Sequence, residues 1–104
     1  MKIYAGQTLE GTMVFTDDDG SLVTDFSQTE IKLLLRNRHD DYQVLLSKEN
    51  MQIEGSHVKF TFSSDQTKKL SVSAIIEVKL IVGEVVRIAK QEQIEVVDNR
   101  IKDL

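Results

Sequence analysis

Three places along the chain bring reactive side chains close together in sequence. Asp17-Asp18-Asp19-Gly20 clusters carboxylates, the hard oxygen donors that suit calcium. A calcium loop of the EF-hand type needs alternating ligands, a later glycine and a closing bidentate glutamate, and none of these stands in register here. Tight turns select the same residues, because Asp accepts backbone N–H groups and Gly supplies positive φ, so the run reads as a structural turn. His39-Asp40-Asp41 sets an imidazole beside carboxylates, but neighbouring positions diverge and no second histidine stands close by, so it reads as a solvated hairpin connection. Ser56-His57 offers a nucleophile beside a base. His57 starts a strand next to Ser56, and adjacent strand residues point to opposite faces, which excludes a dyad. Glu77 and Lys79 share a strand face, where the expected partners are Arg87 or Glu95 on the following strand, each pair worth roughly 0.2–1 kcal/mol. The five glycines are scattered singly, so no phosphate loop is expected. No catalytic, cofactor-binding or metal site follows from these residues, and an enzyme is not expected.

The elements that hold these residues are read from a sustained period-two alternation. His57-Val58-Lys59-Phe60-Thr61-Phe62 and Ile76-Glu77-Val78-Lys79-Leu80 alternate without any comparable helical periodicity, as half-buried strands do. Further strands are expected at Ile3–Ala5, Thr8–Thr16, Glu30–Asn37, Tyr42–Leu46, Met51–Glu54, Ala74–Val82 and Val85–Val97, with a short segment around Leu22–Phe26. In the second of these, Leu9, Gly11, Met13 and Phe15 share a face. Gly83-Glu84 suits a type II′ hairpin. Ser63-Ser64-Asp65-Gln66-Thr67-Lys68-Lys69-Leu70 breaks the alternation with helix N-cap chemistry, which places one helical turn there, capped by Ser63 or Ser64. Turn signals spaced this way describe a β-sandwich or small barrel of seven to nine strands.

The chain has 104 residues, 40% of them hydrophobic, which suits one domain over residues 1–97 with a polar tail, Asp98–Leu104. No cysteine is present, so the core holds without disulfides or thiolate-bound metal. A net charge of −4 argues against nucleic acid as a partner. No stretch approaches the roughly 20 apolar residues of a membrane span, and Met1–Thr8 is too polar for a signal peptide. Proline is absent too, leaving edge strands to be protected by charged side chains or by another subunit.

The layout resembles a family of small immunoglobulin-like domains of bacteriophage and prophage structural proteins, found in tails and baseplates. The likeness runs from Gly6-Gln7-Thr8-Leu9 through Thr12-Met13-Val14-Phe15-Thr16 and the acidic turn to Val58-Lys59-Phe60-Thr61-Phe62. It continues through Ser64, Thr67 and Leu70 and closes with Ile76–Val82, Gly83 and Ile94-Glu95-Val96-Val97. Members of that family place a glycine after the leucine that ends the helical turn, whereas Leu70 is followed here by Ser71-Val72-Ser73. The resemblance implies an immunoglobulin-like antiparallel β-sandwich with a short helical turn near 64–70, working as a virion part, in the virion or in the host cytoplasm during assembly. It implies no catalytic residues.

An interaction face is expected where apolar residues fall on solvent-facing positions: Leu34, Leu45, Ile75 and Ile81, extended by Val85 and Ala89. The expected partners are proteins, either further copies of this chain or other virion components. The alternative is a carbohydrate- or peptide-binding sandwich on a cell surface, using Tyr4, His39 and Tyr42. The expected core comprises Leu9, Met13, Phe15, Ile31, Leu33, Leu35, Val44, Leu46, Val58, Phe60, Phe62, Ile76, Val78, Leu80, Ile88, Ile94 and Val96, with Leu70 closing one end.

Overall fold

A computed structural model describes residues 1–17 and 19–97, without the side chains of 88–90; the tail 98–104 lies outside the described residues. Among the described residues, eight strands form two sheets. The first contains β1 (Lys2–Tyr4), β8 (Val85–Val97), β7 (Ser73–Val82), β3 (Thr29–Asn37) and β4 (Gln43–Ser47), side by side in that order. The second runs β2 (Leu9–Val14), β6 (His57–Phe62), β5 (Gln52–Glu54). The second, fifth and sixth strands thus form one layer and the remaining five the other, which is an all-β sandwich.

One pairing departs from the antiparallel expectation. β1 lies parallel to β8, with Lys2 opposite Glu95 and Tyr4 opposite Val97. The segment joins the edge of the first sheet and then turns away at Gly6, where the Gln7 N–H bonds the Tyr4 carbonyl at 3.0 Å, to start the second sheet. Leu22–Phe26 adds only a single bridge, Thr16 to Leu22, because the chain is crossing between layers there. Phe26 turns into the core, and Lys48 Nζ caps its carbonyl at 2.7 Å and that of Thr29 at 2.8 Å.

Alternation builds the core. On β3, Ile31, Leu33 and Leu35 are fully buried and stand opposite Leu80, Val78 and Ile76 of β7. Leu33 and Leu35 also face Leu46 and Val44 of β4. The second sheet contributes Leu9, Val58 and Phe62, with Met13, Phe15 and Phe60 packed at the margin. Gly11 lies directly opposite Phe60, whose ring occupies the space where a Cβ would stand: that atom would meet the ring at 2.5 Å. Ile3, Phe26, Met51 and Ala74 join the core beyond the sequence expectation, whereas Ile88 stands opposite Lys79 in the register and its side chain lies outside the described residues.

One end of the sandwich is tied by polar side chains. The helical turn α1 (Ser64–Thr67) is capped by Ser63, whose hydroxyl accepts the Gln66 N–H at 3.3 Å while Gln66 Oε1 accepts the Ser63 N–H at 2.8 Å. Buried Thr67 donates to the Gln7 carbonyl at 2.7 Å, and Ser64 to that of Gly6 at 2.6 Å, so the turn clasps the β1–β2 connection. Asn37, 2% exposed, accepts the Ser71 N–H at 3.0 Å and donates to the Lys69 carbonyl at 3.1 Å and to Asp40. Leu70 is buried beneath this network.

Between Leu70 and β7, Val72 adopts φ 39°, the positive region a β-branched residue disfavours, and the Ser73 N–H bonds the Ser71 carbonyl across it. The Val72 carbonyl accepts the Val96 N–H at 2.9 Å, which pins the bend to β8. Its side chain is 73% exposed and adds little packing. Replacing Val72 by Gly removes strain of order 1–3 kcal/mol at an entropic cost of roughly 0.5–1 kcal/mol. V72G should therefore raise stability by about 1 kcal/mol in urea denaturation; an unchanged or lowered midpoint contradicts the strained bend.

Candidate interaction surface

Asp17, Asp19 and Asp40, among the reactive side chains singled out by the sequence, are occupied in holding turns. Asp17 and Asp19 fold their carboxylates back onto the turn: Asp17 Oδ1 accepts the Asp19 and Ser21 N–H groups at 3.2 Å, and Asp19 Oδ1 accepts the Ser21 N–H at 2.8 Å. Asp18 lies outside the described residues. Among the described residues, no group of three or more His, Cys, Asp or Glu side chains is placed to hold a metal ion. Asp40 accepts the Tyr42 N–H at 2.8 Å and the Asn37 amide at 3.0 Å, while His39 and Asp41 are exposed. Tyr42 donates its hydroxyl to the Gln66 carbonyl at 2.6 Å and carries Lys69 Nζ over its ring, 5.8 Å from the centroid. Partial burial pushes the Tyr42 hydroxyl pKa up.

Two sequence readings need correction. Ser56 Oγ lies 3.4 Å from His57 Nδ1, although adjacent strand positions were expected to diverge. Ser56 sits in the turn before β6, so the pleat does not separate it from His57. Glu54, the cross-strand neighbour of His57, pairs with Lys59 Nζ at 3.2 Å. Glu77 is the second case. It meets Arg36 of β3 at 3.8 Å and accepts from Gln91 Nε2 at 2.7 Å, rather than meeting Arg87 or Glu95. Those two stand opposite Leu80 and Ser73.

The apolar residues expected on the solvent face are only partly brought together. Leu34 and Leu45 are direct cross-strand partners, and Leu45 is 52% exposed. Ile75 stands between Arg36 and Gln93, and Ile81 between Glu30 and Val86. The Arg36–Glu77–Gln91 network divides these two ends of the face. Val85 belongs to the other face, since it pairs with Val82 rather than with an odd-numbered residue of β7. Ala89 falls at the register shift between Ile88 and Lys90, and its side chain lies outside the described residues.

Exposed apolar surface gathers instead at the β7–β8 hairpin tip. Val82, Val85 and Val86 are 49%, 55% and 58% exposed around Gly83-Glu84, with Gly83 at φ 61° as a type II′ turn requires. Beside the tip, Phe15, Val23, Phe26 and Leu80 line an open groove of about 310 Å³ with Asp17 and Arg87 at its border. Phe15 and Phe26 meet edge to face there, their centroids 6.1 Å apart. The signal available in sequence was the run Val82-Gly83-Glu84-Val85-Val86, where valines crowd a two-residue turn that has no room to bury them.

No helix among the described residues is long and apolar enough to cross a membrane. Comparison of the chain with protein-family models, curated proteins and solved structures finds no match in any of the three.

The acidic turns set a pH dependence. The hydrogen-bonded Asp17 side chain, then Ser21, lowers Asp19 from 3.8 to about 2. The Tyr42 N–H and then the Asn37 amide hold Asp40 below its usual value. Both groups bind protons more weakly folded than unfolded, so their contribution is complete above the unfolded pKa and fades as pH falls through the folded one. Urea denaturation should show stability falling from about pH 4 towards pH 2, less steeply in Asp40→Asn; identical slopes in the two proteins would remove Asp40 from the account.

Proposed function

We propose that this chain is a non-enzymatic structural or assembly module that works through protein–protein contacts, as a tail or baseplate component of a phage or prophage particle. One observation carries the contact reading: the polar side chains with chemical potential are tied into turns and caps, while exposed valines gather at one hairpin tip beside an apolar groove. The particle assignment is supported by the family resemblance in strand layout, from Gly6-Gln7-Thr8-Leu9 to Ile94-Glu95-Val96-Val97. Oligomerisation and placement in the virion, or in the host cytoplasm during assembly, belong to the same proposal.

The groove favours a second reading, a peptide-binding sandwich, because it offers apolar walls between two charged side chains. A carbohydrate site has less support, since Tyr42 is committed to Gln66 and Lys69. Quantitative mass spectrometry of particles purified from the encoding host decides the leading reading. The chain should co-sediment with tail proteins at a fixed ratio; recovery only in the particle-free fraction overturns it.

A further inference from the structure

We propose that two copies of this chain join edge to edge through β8, antiparallel about a two-fold axis, with Arg87 of each copy opposite Glu92 of the other. This names a partner for the contact module proposed above and rests on that reading.

β7 pairs with β8 along its length, but on the far side β1 reaches only Glu95–Val97. Met1 lies just before that ladder, its carbonyl accepting the Glu95 N–H at 2.9 Å. Among the described residues, no strand pairs with this side of β8 between the hairpin turn and Met1. Such an edge is a template for strand addition.

Register follows from the limits of that edge and from the pleat. A second β8 laid antiparallel between the turn and Met1 can pair 86 with 93 and 87 with 92. Moving it by one residue sets opposite-face residues against each other. At the chosen register the faces agree, because Arg87 is opposite Leu80 and Glu92 is opposite Ile76, both even-numbered positions of β7. The register shift in β8 makes this possible: in an unbroken strand 87 and 92 have opposite parity and point apart.

The chemistry is self-complementary in this arrangement. Two Arg–Glu pairs form by symmetry, whereas a parallel copy sets arginine beside arginine and glutamate beside glutamate. Glu92 also receives the terminal ammonium of its own chain at 3.7 Å. At each end Val85, 55% exposed, arrives beside Met1 of the second copy, 56% exposed in the single chain. The partner of this edge is therefore a second copy of this chain, and the product is one continuous sheet.

Sedimentation equilibrium and native mass spectrometry of the full chain test the proposal, with circular dichroism to check that each variant is folded. The wild type should form a concentration-dependent dimer. Arg87→Glu and Glu92→Arg should each weaken it roughly tenfold or more, since every cross-strand pair becomes like-charged. Mixing the two variants should yield a heterodimer, and the double variant R87E/E92R should dimerise again. A wild type that stays monomeric at high concentration overturns the dimer and leaves particle association to be judged by the co-sedimentation experiment. Dimers insensitive to both substitutions, or variants that do not recombine on mixing, overturn the register.

Discussion

The first sheet depends on one extra residue in β8. The two-residue turn at Gly83-Glu84 sets Val82 opposite Val85, and an uninterrupted ladder from that point pairs each β7 residue with a β8 residue of opposite parity. Continued to the end, it sends Ile94 and Val96 to the solvent face. The shift between Val78 and Lys79 moves the later part of β8 by one position, so that Ala74 faces Ile94 and both are fully buried. The turn and the core make conflicting demands on a single strand, and the bulge reconciles them. The same shift sets Gln91 opposite Glu77, which accepts from it and meets Arg36.

The two ends of the sandwich are built differently. At one, Asn37, Thr67 and Tyr42 hold the connections around α1 with hydrogen bonds, and no buried polar side-chain atom among the described residues lacks a partner. A buried amide is tolerated there because both its donor and its acceptor sides are used. At the other, the β7–β8 tip carries valines where a solvated turn carries polar residues, and the long β2–β3 connection leaves Phe15 and Phe26 beside an open groove. The first end has its bonding groups turned inward and the second has apolar surface turned outward. Contact with another chain therefore fits the second end and the edge of β8 that leads to it.

Local properties were legible in the sequence. Alternation located the strands, N-cap chemistry at Ser63 or Ser64 marked the helical turn, Gly83-Glu84 marked the hairpin, and the alternate positions of β3 marked the core. Each depends on residues a few positions apart, where backbone geometry alone relates side-chain direction to sequence. The long-range relations were not legible. The parallel pairing of β1, the burial of Asn37 and the separation of Val85 from Leu34, Ile75 and Ile81 arise when distant segments meet.

The sequence by itself determined that oil and water separate on alternate positions and that the chain reverses at its glycine- and aspartate-bearing turns. Only the tertiary structure decided which face each half of β8 presents, because parity along a strand is local whereas a bulge answers to the turn and the core together. It also decided where the apolar surface collects. The first sheet packs inward on its rows of leucine and isoleucine, and the valines at its far tip extend past the layer that would cover them.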